Sequence, residues 1–596
     1  MLGAIFLAYH NSLTGPFILD DERCIINNPH IRQLWPLTKP LANTSRPIVQ
    51  LSLALNFALG GLDVAGYHVV NLLLHAGAAL ALFGLVRRSV GRIRMAGEAD
   101  ELGFSIALLW AIHPLVTQPV NYVIQRGELL MSLFLLLTLY GLCRGRLVFG
   151  VVACALGMAS KPTMAITPVI ALLYDRAFMA GGFRTALRQR TGFYFALAST
   201  WLVLPLVLLN GQQDWLGSAG FGVQGVAPWQ YALTQPSVIL HYLRLAIWPQ
   251  GLCLDYMWPP ARSFAEAWLP ISLIVGLLAL TGWMCWRQPQ FGFLAAAFFI
   301  VLAPTSSVLP IDDLAFEHRM YLPLACVVAI GVVGWRGVAG QLSRNSAALD
   351  QTVLLVTALG LGVLTFNRNK DYRDEVSIWT DTAEKAPDNY RAHNNLANAL
   401  DEAGAVDEAL THAGDAVRLE PGNPKPQYNL ANVLDEAGRT REAIRHYEAA
   451  LRLNPDYAKA HNKLGILLLR EGRFDEAIQH FETALRLQPD LTEAAYYWGV
   501  ALVKRGDKQP ALDKFTMAIQ IKPDFVEGYI GRGMALVELD RAADAIADFE
   551  IAVRLRPNSA KAHKQLGHAL QRLGRQGEAD VHLQMAARLS APAPNR

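Results

Sequence analysis

The sequence predicts an all-α protein in two parts, a polytopic bundle of membrane helices followed by a solenoid of helical repeats. Three observations predict it. Of the 596 residues 52% are apolar and only 17% charged, against about 25% charged in an average soluble chain. The charges are unevenly placed: up to residue 366 the chain reads as long apolar runs, and beyond it as charged amphipathic helices. In the second part a set of residues recurs at a fixed step of 34 positions. This composition excludes disorder and argues against a purely soluble enzyme. With 53 Lys+Arg against 50 Asp+Glu and no basic block, nothing points to nucleic acid. The expected domains are a membrane body over 1–366, a linker with a capping helix over 367–389, and six repeats over 390–593.

A span needs about 20 apolar residues. The candidates are 1–19, 67–86, 102–120, 127–143, 146–160, 161–175, 193–210, 268–286, 291–309, 320–338 and 353–366. Several are short, and 146–175 also reads as one broken hairpin. Residues 1–19 read as a span rather than a signal peptide, because a charged leading region and a small-residue cleavage site are lacking. Segment 236–249 is too short and proline-bounded, and reads as re-entrant or interfacial. Basic residues mark the cytoplasmic side. Arg87, Arg88, Arg92 and Arg94, then Arg144 and Arg146, then Arg176, Arg184, Arg188 and Arg190, then Arg287, Arg336 and Arg344 fall in alternate loops, whereas loop 211–235 has no Lys or Arg. Eleven spans starting inside then place loops 20–46, 211–267 and 310–319, and all the repeats, on the extracytoplasmic side, as in a bacterial inner-membrane protein with periplasmic repeats. All six cysteines lie in the apolar part without a CxxC, so free thiols are expected over a Cys24–Cys253 bridge.

The repeats are the clearest signal. Proline recurs at 387, 421, 455, 489, 523 and 557; alanine at 409, 443, 477, 511, 545 and 579, and again at 416, 450, 484, 518, 552 and 586. Glycine holds 404, 438, 472, 506 and 574, with Asp540 in the remaining slot. Ala or Gly fills 397, 431, 465, 499, 533 and 567. This is the tetratricopeptide pattern, a helix–turn–helix every 34 residues. Small residues let the two helices approach, glycine ends the first and proline ends the second. A capping helix is expected near 373–386. Such a stack presents a groove suited to a protein or peptide. There Asn395 and Asn429 share one slot and Asn398 and Asn432 another; they either bond a peptide backbone or only solvate the groove. His393, His461 and His563 share a slot but sit on separate repeats, too far apart to share a metal, and read as surface histidines.

The candidate chemistry lies at span ends. Asp20, Asp21 and Glu22 follow the first span directly, where acids cost desolvation unless they act. One of them is a candidate general base for an acceptor hydroxyl; the bland alternative is a solvated loop start. His113, Gln118, Arg126 and Glu128 cluster around spans 3 and 4; Lys161 begins span 6; Glu317, His318 and Arg319 precede span 10. Arg46, Arg126, Lys161 and Arg319 all fall on the outer side and suit a lipid-linked phosphate, with lipid-headgroup anchoring as the alternative. His68 and His75 share one helix face and read as helix–helix hydrogen bonds. No ligand cluster at metal-binding spacing is present, so neither a metal nor a cofactor is expected.

The stretch FILDDERCIINN over 17–28, then Ser45-Arg46-Pro47, then YHVVNLLLH over 67–75, resembles the transmembrane and tetratricopeptide-repeat O-mannosyltransferase family and its bacterial relatives. The likeness continues through Ala111-Ile112-His113-Pro114, Arg126-Gly127-Glu128, Ser160-Lys161-Pro162 and Arg319-Met320-Tyr321-Leu322-Pro323. It implies a GT-C-type membrane glycosyltransferase that takes sugar from a polyprenyl-phosphate donor on the extracytoplasmic face and passes it to a hydroxyl, mannose being the family's sugar. It maps the acting carboxylate to Asp20 or Asp21, with Asp21 narrowly preferred, and donor-phosphate binding to Lys161, Arg126 or Arg319. The chain departs from the family where Gln118 stands for a usual Glu and Gly127-Glu128 for a usual Lys-Asp. A membrane-anchored repeat scaffold without activity is the alternative. A transporter ranks third, because no internal repeat is visible among the spans.

Overall fold

The computed structural model describes residues 1–93, 96–211, 226–308, 310–311, 313–342 and 346–590. Arg94, Arg344, residues 212–225 of the Lys/Arg-free loop and the last predicted repeat positions, 591–593, lie outside the described residues. Every regular element among the described residues is a helix, and the chain divides into two compact units, Met1–Ala392 and His393–Arg596.

In the first unit seven helices are long and apolar enough to cross a membrane: Val64–Gly91, Val123–Cys143, Pro162–Ala180, Thr191–Asn210, Phe264–Arg287, Pro323–Gln341 and Ala347–Asp371. An eighth is the pair Gly97–Ala111 and Pro114–Asn121, bent by 61°. The break has a local cause: Pro114 cannot continue the helix, and the His113 ring accepts the Leu115 N–H at 3.1 Å as an N-cap. Three of the eleven expected spans fall short of span length. Residues 1–19 hold only the helix Leu2–Tyr9 and a short 3₁₀ turn, and Leu147–Met158 and Pro289–Leu302 have 12 and 14 residues. Their apolar character is real but is spent partly in turns. Segment 236–249 differs in the other direction: all but its last two residues belong to one 20-residue helix, Pro228–Ile247, which runs through Pro236. A proline inside a bundle helix is tolerated where neighbours re-satisfy the backbone.

One junction holds the core of this unit. Trp110 Nε1–H donates to the Tyr321 carbonyl at 2.7 Å. The His75 ring bonds the Tyr321 hydroxyl at 2.7 Å and the Ala111 carbonyl at 2.9 Å. Two helices and the turn that leads into a third are thereby locked at fully buried aromatic side chains. The last long helix, Ser346–Asp371, is pinned at its end: Thr365 donates to the Ile112 carbonyl at 2.7 Å, and Asn369 donates to the Ala8 carbonyl and accepts from Asn121, both at 2.8 Å. The helix Glu375–Lys385 follows within the same unit.

The second unit is a row of helix pairs, complete from Pro424–Glu436 with Thr440–Leu453 through to Ala560–Arg572 with Gln576–Ser590. The helices Tyr390–Glu402 and Val406–Leu419 form the pair before them, and the boundary between the units falls in its first turn. Alanines 409, 443, 477, 511, 545 and 579 are fully buried where the helices of each pair meet. Each first helix ends in a left-handed residue, with φ of 79°, 73°, 77°, 107° and 74° at glycines 404, 438, 472, 506 and 574. The next N–H reaches back five residues to close the turn, as in Ala405 to Leu400 and Arg439 to Leu434, both at 2.8 Å. Asp540 takes the same conformation at φ 58°, and Arg541 still bonds Leu536 at 2.9 Å.

Candidate functional site

The acidic triplet is split by its backbone. Leu19 stands at φ 51°, a left-handed conformation that costs a bulky residue strain. The turn it makes sends Asp20 outward and Asp21 inward: Asp20 and Glu22 are exposed, Asp21 is fully buried. Both Asp21 oxygens accept backbone N–H groups, Oδ2 from Ile18 at 3.1 Å and Oδ1 from Ile124 at 2.7 Å. Burial pushes the Asp21 carboxyl up to about 7, against the pull of backbone hydrogen bonds from Ile18, Ile124 and Val123 and with a push from neighbouring Asp20. The Asp20 N–H donates to the Tyr122 hydroxyl at 3.0 Å, so its carboxylate alone is left to face outward. Glu22 accepts only from Asn27, at 3.3 Å.

Arg126 is fully buried and spent on neutral acceptors. Nε donates to Asn71 Oδ1 and one terminal nitrogen to Asn56 Oδ1, both at 2.7 Å; the other donates to the Tyr67 carbonyl at 3.0 Å. The segment 67–75 and Arg126, separate in sequence, are thus one hydrogen-bonded joint. This geometry ties Arg126 to the protein interior, with most of its N–H groups already engaged.

The other cations converge. Lys161 pairs with Glu128 at 2.9 Å, their side chains 12% and 7% exposed. His318 lies in the field of Lys161, Arg319 and Arg46, and its imidazole is held well below the usual histidine range, by burial first and by those three charges second. Its Nδ1 is buried without a hydrogen-bond partner. Arg319 is nearly buried and donates to the carbonyls of Thr305 at 2.9 Å, Leu314 at 3.1 Å and Asp313 at 2.5 Å. Exposed Arg46 acts on Cys24 together with Asp20, and so is common to the acidic turn and the cation cluster.

Gln118 does structural work that a carboxylate could not do in the same way. It accepts the His318 N–H at 2.8 Å and donates its amide to the Leu254 carbonyl at 3.0 Å. His113 is placed apart from the cluster, as a helix cap whose Nε2 meets the Ala246 carbonyl at 3.2 Å. Glu317 is fully buried; its Oε1 accepts from the Cys253 N–H at 2.6 Å and the Tyr256 hydroxyl at 2.7 Å. The six cysteines are free. A small polar pocket bounded by Glu128, Thr163, Thr305 and Arg319 shares Val301 and Leu322 with an apolar cavity of about 250 Å³ among the bundle helices, lined by Leu136, Tyr174 and Phe293 among others.

Comparison with known proteins bears on this arrangement. The chain is 23% identical over 451 residues to a protein O-mannosyl-transferase of Caenorhabditis elegans, covering 70% of this chain and 62% of that one. It is 25% identical over 506 residues to the human protein O-mannosyl-transferase TMTC1, covering 70% and 54%. The homologues of this chain are protein O-mannosyl-transferases. The chain spans between half and two thirds of the length of these curated relatives. The tetratricopeptide repeat family matches residues 368–424, 428–492, 463–524 and 530–594. A crystal structure of MamA is similar at 24% identity over 27% of this chain and 94% of that one, with a TM-score of 0.26.

In the repeats, the groove asparagines are largely tied to the protein itself. Asn429 donates to Asn394 at 2.9 Å, Asn394 to Asn395 at 3.3 Å, and Asn432 accepts from Tyr447 at 2.5 Å. Asn398 is half-buried. The histidine row is not a set of isolated surface groups. His393, His461 and His563 each meet a second histidine 19 residues on, with Nδ1···Nδ1 distances of 3.0, 2.8 and 3.0 Å to His412, His480 and His582. A second row, 412, 446, 480 and 582, at the same step was the signal for it. Nothing local in the sequence marks Leu19 or Tyr122, which orient the acidic turn.

Proposed function

We propose that the chain is a membrane glycosyltransferase that moves a sugar, mannose on the likeness to its homologues, from a polyprenyl-phosphate donor to a protein hydroxyl on the extracytoplasmic side. The observation that carries this reading is that Lys161, Arg319 and Arg46, cations from three separate stretches of chain, all act on His318, while Arg46 and Asp20 both act on Cys24. A phosphate leaving group needs charge stabilisation rather than a strong acid, and such a cluster supplies it. Asp20 is the base in this reading, and Asp21 positions it. An exposed carboxylate can reach an acceptor hydroxyl, whereas both Asp21 oxygens already hold backbone N–H groups. The hydroxyl loses its proton to Asp20 and its oxygen attacks the anomeric carbon. The carbon–oxygen bond to the donor phosphate then breaks, in one inverting displacement. Arg126 takes no part in binding; it holds the helices that carry Glu128 and Asn71. The repeats bind the protein acceptor or a partner near the site, and the sugar donor is the sole small-molecule requirement.

The test is transfer by the purified chain from polyprenyl-phosphate mannose to an acceptor polypeptide. Sugar incorporation that Asp20→Asn removes supports the reading. No incorporation by the unaltered chain with any polyprenyl-phosphate sugar would favour the scaffold instead.

A further inference from the structure

We propose that the first helical repeat of the second unit holds a borderline-soft divalent transition ion of the Zn²⁺ type, bound by His393, His412 and Asp415. The ligand atoms of these three side chains lie within 4.8 Å of one another. His393 comes from the first helix of the pair, while His412 and Asp415 stand one turn apart on one face of the second. Two imidazole nitrogens and a carboxylate oxygen are the donor set Zn²⁺ accepts with a fourth position open.

The geometry is close to that of a chelate. The two Nδ1 atoms are 3.0 Å apart. Two nitrogens bound to one tetrahedral zinc at about 2.05 Å stand about 3.3 Å apart, so the pair needs to open by only ~0.3 Å.

The other two histidine pairs are the internal control. The Nδ1 atoms of His461 and His563 face His480 and His582 at 2.8 and 3.0 Å, much as His393 faces His412, so the pairs differ in the acid beside them. The slot that holds Asp415 is Thr483 and Met585 in those repeats, and their nearby acids Glu476 and Glu578 are gripped at both oxygens by Arg473 and Arg575. Asp415 is held only by one contact from exposed Arg418, at 2.8 Å, which a metal can displace. The ion would clamp the two helices of this repeat and keep one coordination position for water or a donor group of a bound polypeptide.

The test uses the full-length chain in detergent. Titration with Co²⁺ is followed by its visible ligand-field bands, and with Zn²⁺ by calorimetry and the thermal midpoint. One ion per chain at this site, with a higher midpoint on Zn²⁺, is expected. His393→Gln should lose it while folding normally, because Gln427 fills that slot in the next repeat and bonds His446 at 2.8 Å. Asp415→Asn should weaken binding by about tenfold or more, and His461→Gln should leave it unchanged. Absence of Co²⁺ bands, or binding that survives His393→Gln with equal affinity and stoichiometry, would overturn the assignment.

Discussion

Asp20 and Asp21 are neighbours with opposite surroundings, and that difference makes them separable. Asp20→Asn is expected to lower transfer by about 10²- to 10⁴-fold, the usual contribution of a general base, with no loss of expression or thermal stability, because the side chain is exposed. Asp21→Asn acts on stability, with a sign set by burial. A carboxyl at about 7 in the folded chain holds a proton that the unfolded chain releases near 3.8. The wild type therefore loses stability as pH rises from about 4 to 7, and the loss is complete above 7. The midpoint of Asp21→Asn relative to wild type should accordingly climb over that interval and then level off; a constant difference would refute the burial argument. Arg126→Met strands Asn71, Asn56 and the Tyr67 carbonyl, at about 1–3 kcal/mol for each acceptor left buried and unpaired. Yield and midpoint should fall while the donor KM of the surviving protein stays the same. At this scale the sequence showed which residue types mattered but not which way they faced. Arg126 and Lys161 look alike as cations at span ends. Only the presence of Asn56 and Asn71 around one, and of Glu128 beside the other, distinguishes them.

Among the elements, the repeats were the most legible, because a 34-residue step repeats every steric requirement in register. The small slot at 465 shows why. A Cβ there would lie 2.8 Å from the fully buried Phe481 ring. Gly465→Ala gains roughly 1 kcal/mol of helix propensity, but overpacking against a ring that cannot move costs about 1–3 kcal/mol. The substitution should be net destabilising, seen as a lower midpoint. Asp540→Gly should go the other way. It puts glycine at the one left-handed turn that lacks it and should stabilise by up to about 1 kcal/mol, measured as slower amide exchange in Val526–Glu538 and Ala542–Leu555. The membrane elements were legible in position but not in length. Apolar content marks a segment as buried in lipid or protein, and it does not say how many residues are helical. That is why residues 1–19 read as a span and fold as a short helix with turns. The bend after Ala111 was missed although Pro114 stood inside the span read over 102–120, and the helix through Pro236 was missed because the neighbours that tolerate a proline are remote in sequence.

For the whole molecule, the orientation rests on the arginine-rich loops, and one expectation tests it. A C-terminal epitope on the full chain should be cleaved by protease added to the extracytoplasmic face of sealed vesicles and protected from the opposite face. The two-part organisation was readable because charge and periodicity change together near residue 366, whereas the approach of residues 46, 161 and 319 to His318 depends on helix order in three dimensions. The Lys161–Glu128 contact sets a condition on entry. A cation that rests against its own counter-ion offers dissolved inorganic phosphate little reward, since one ionic partner would merely be exchanged for another. An anion tethered to hydrocarbon is different. Its chain is already out of water, so its phosphate is presented at high effective concentration close to the 250 Å³ apolar hollow, which favours opening the couple. Discrimination between greasy and water-borne phosphates then needs no dedicated gate, only a carboxylate that must first be displaced.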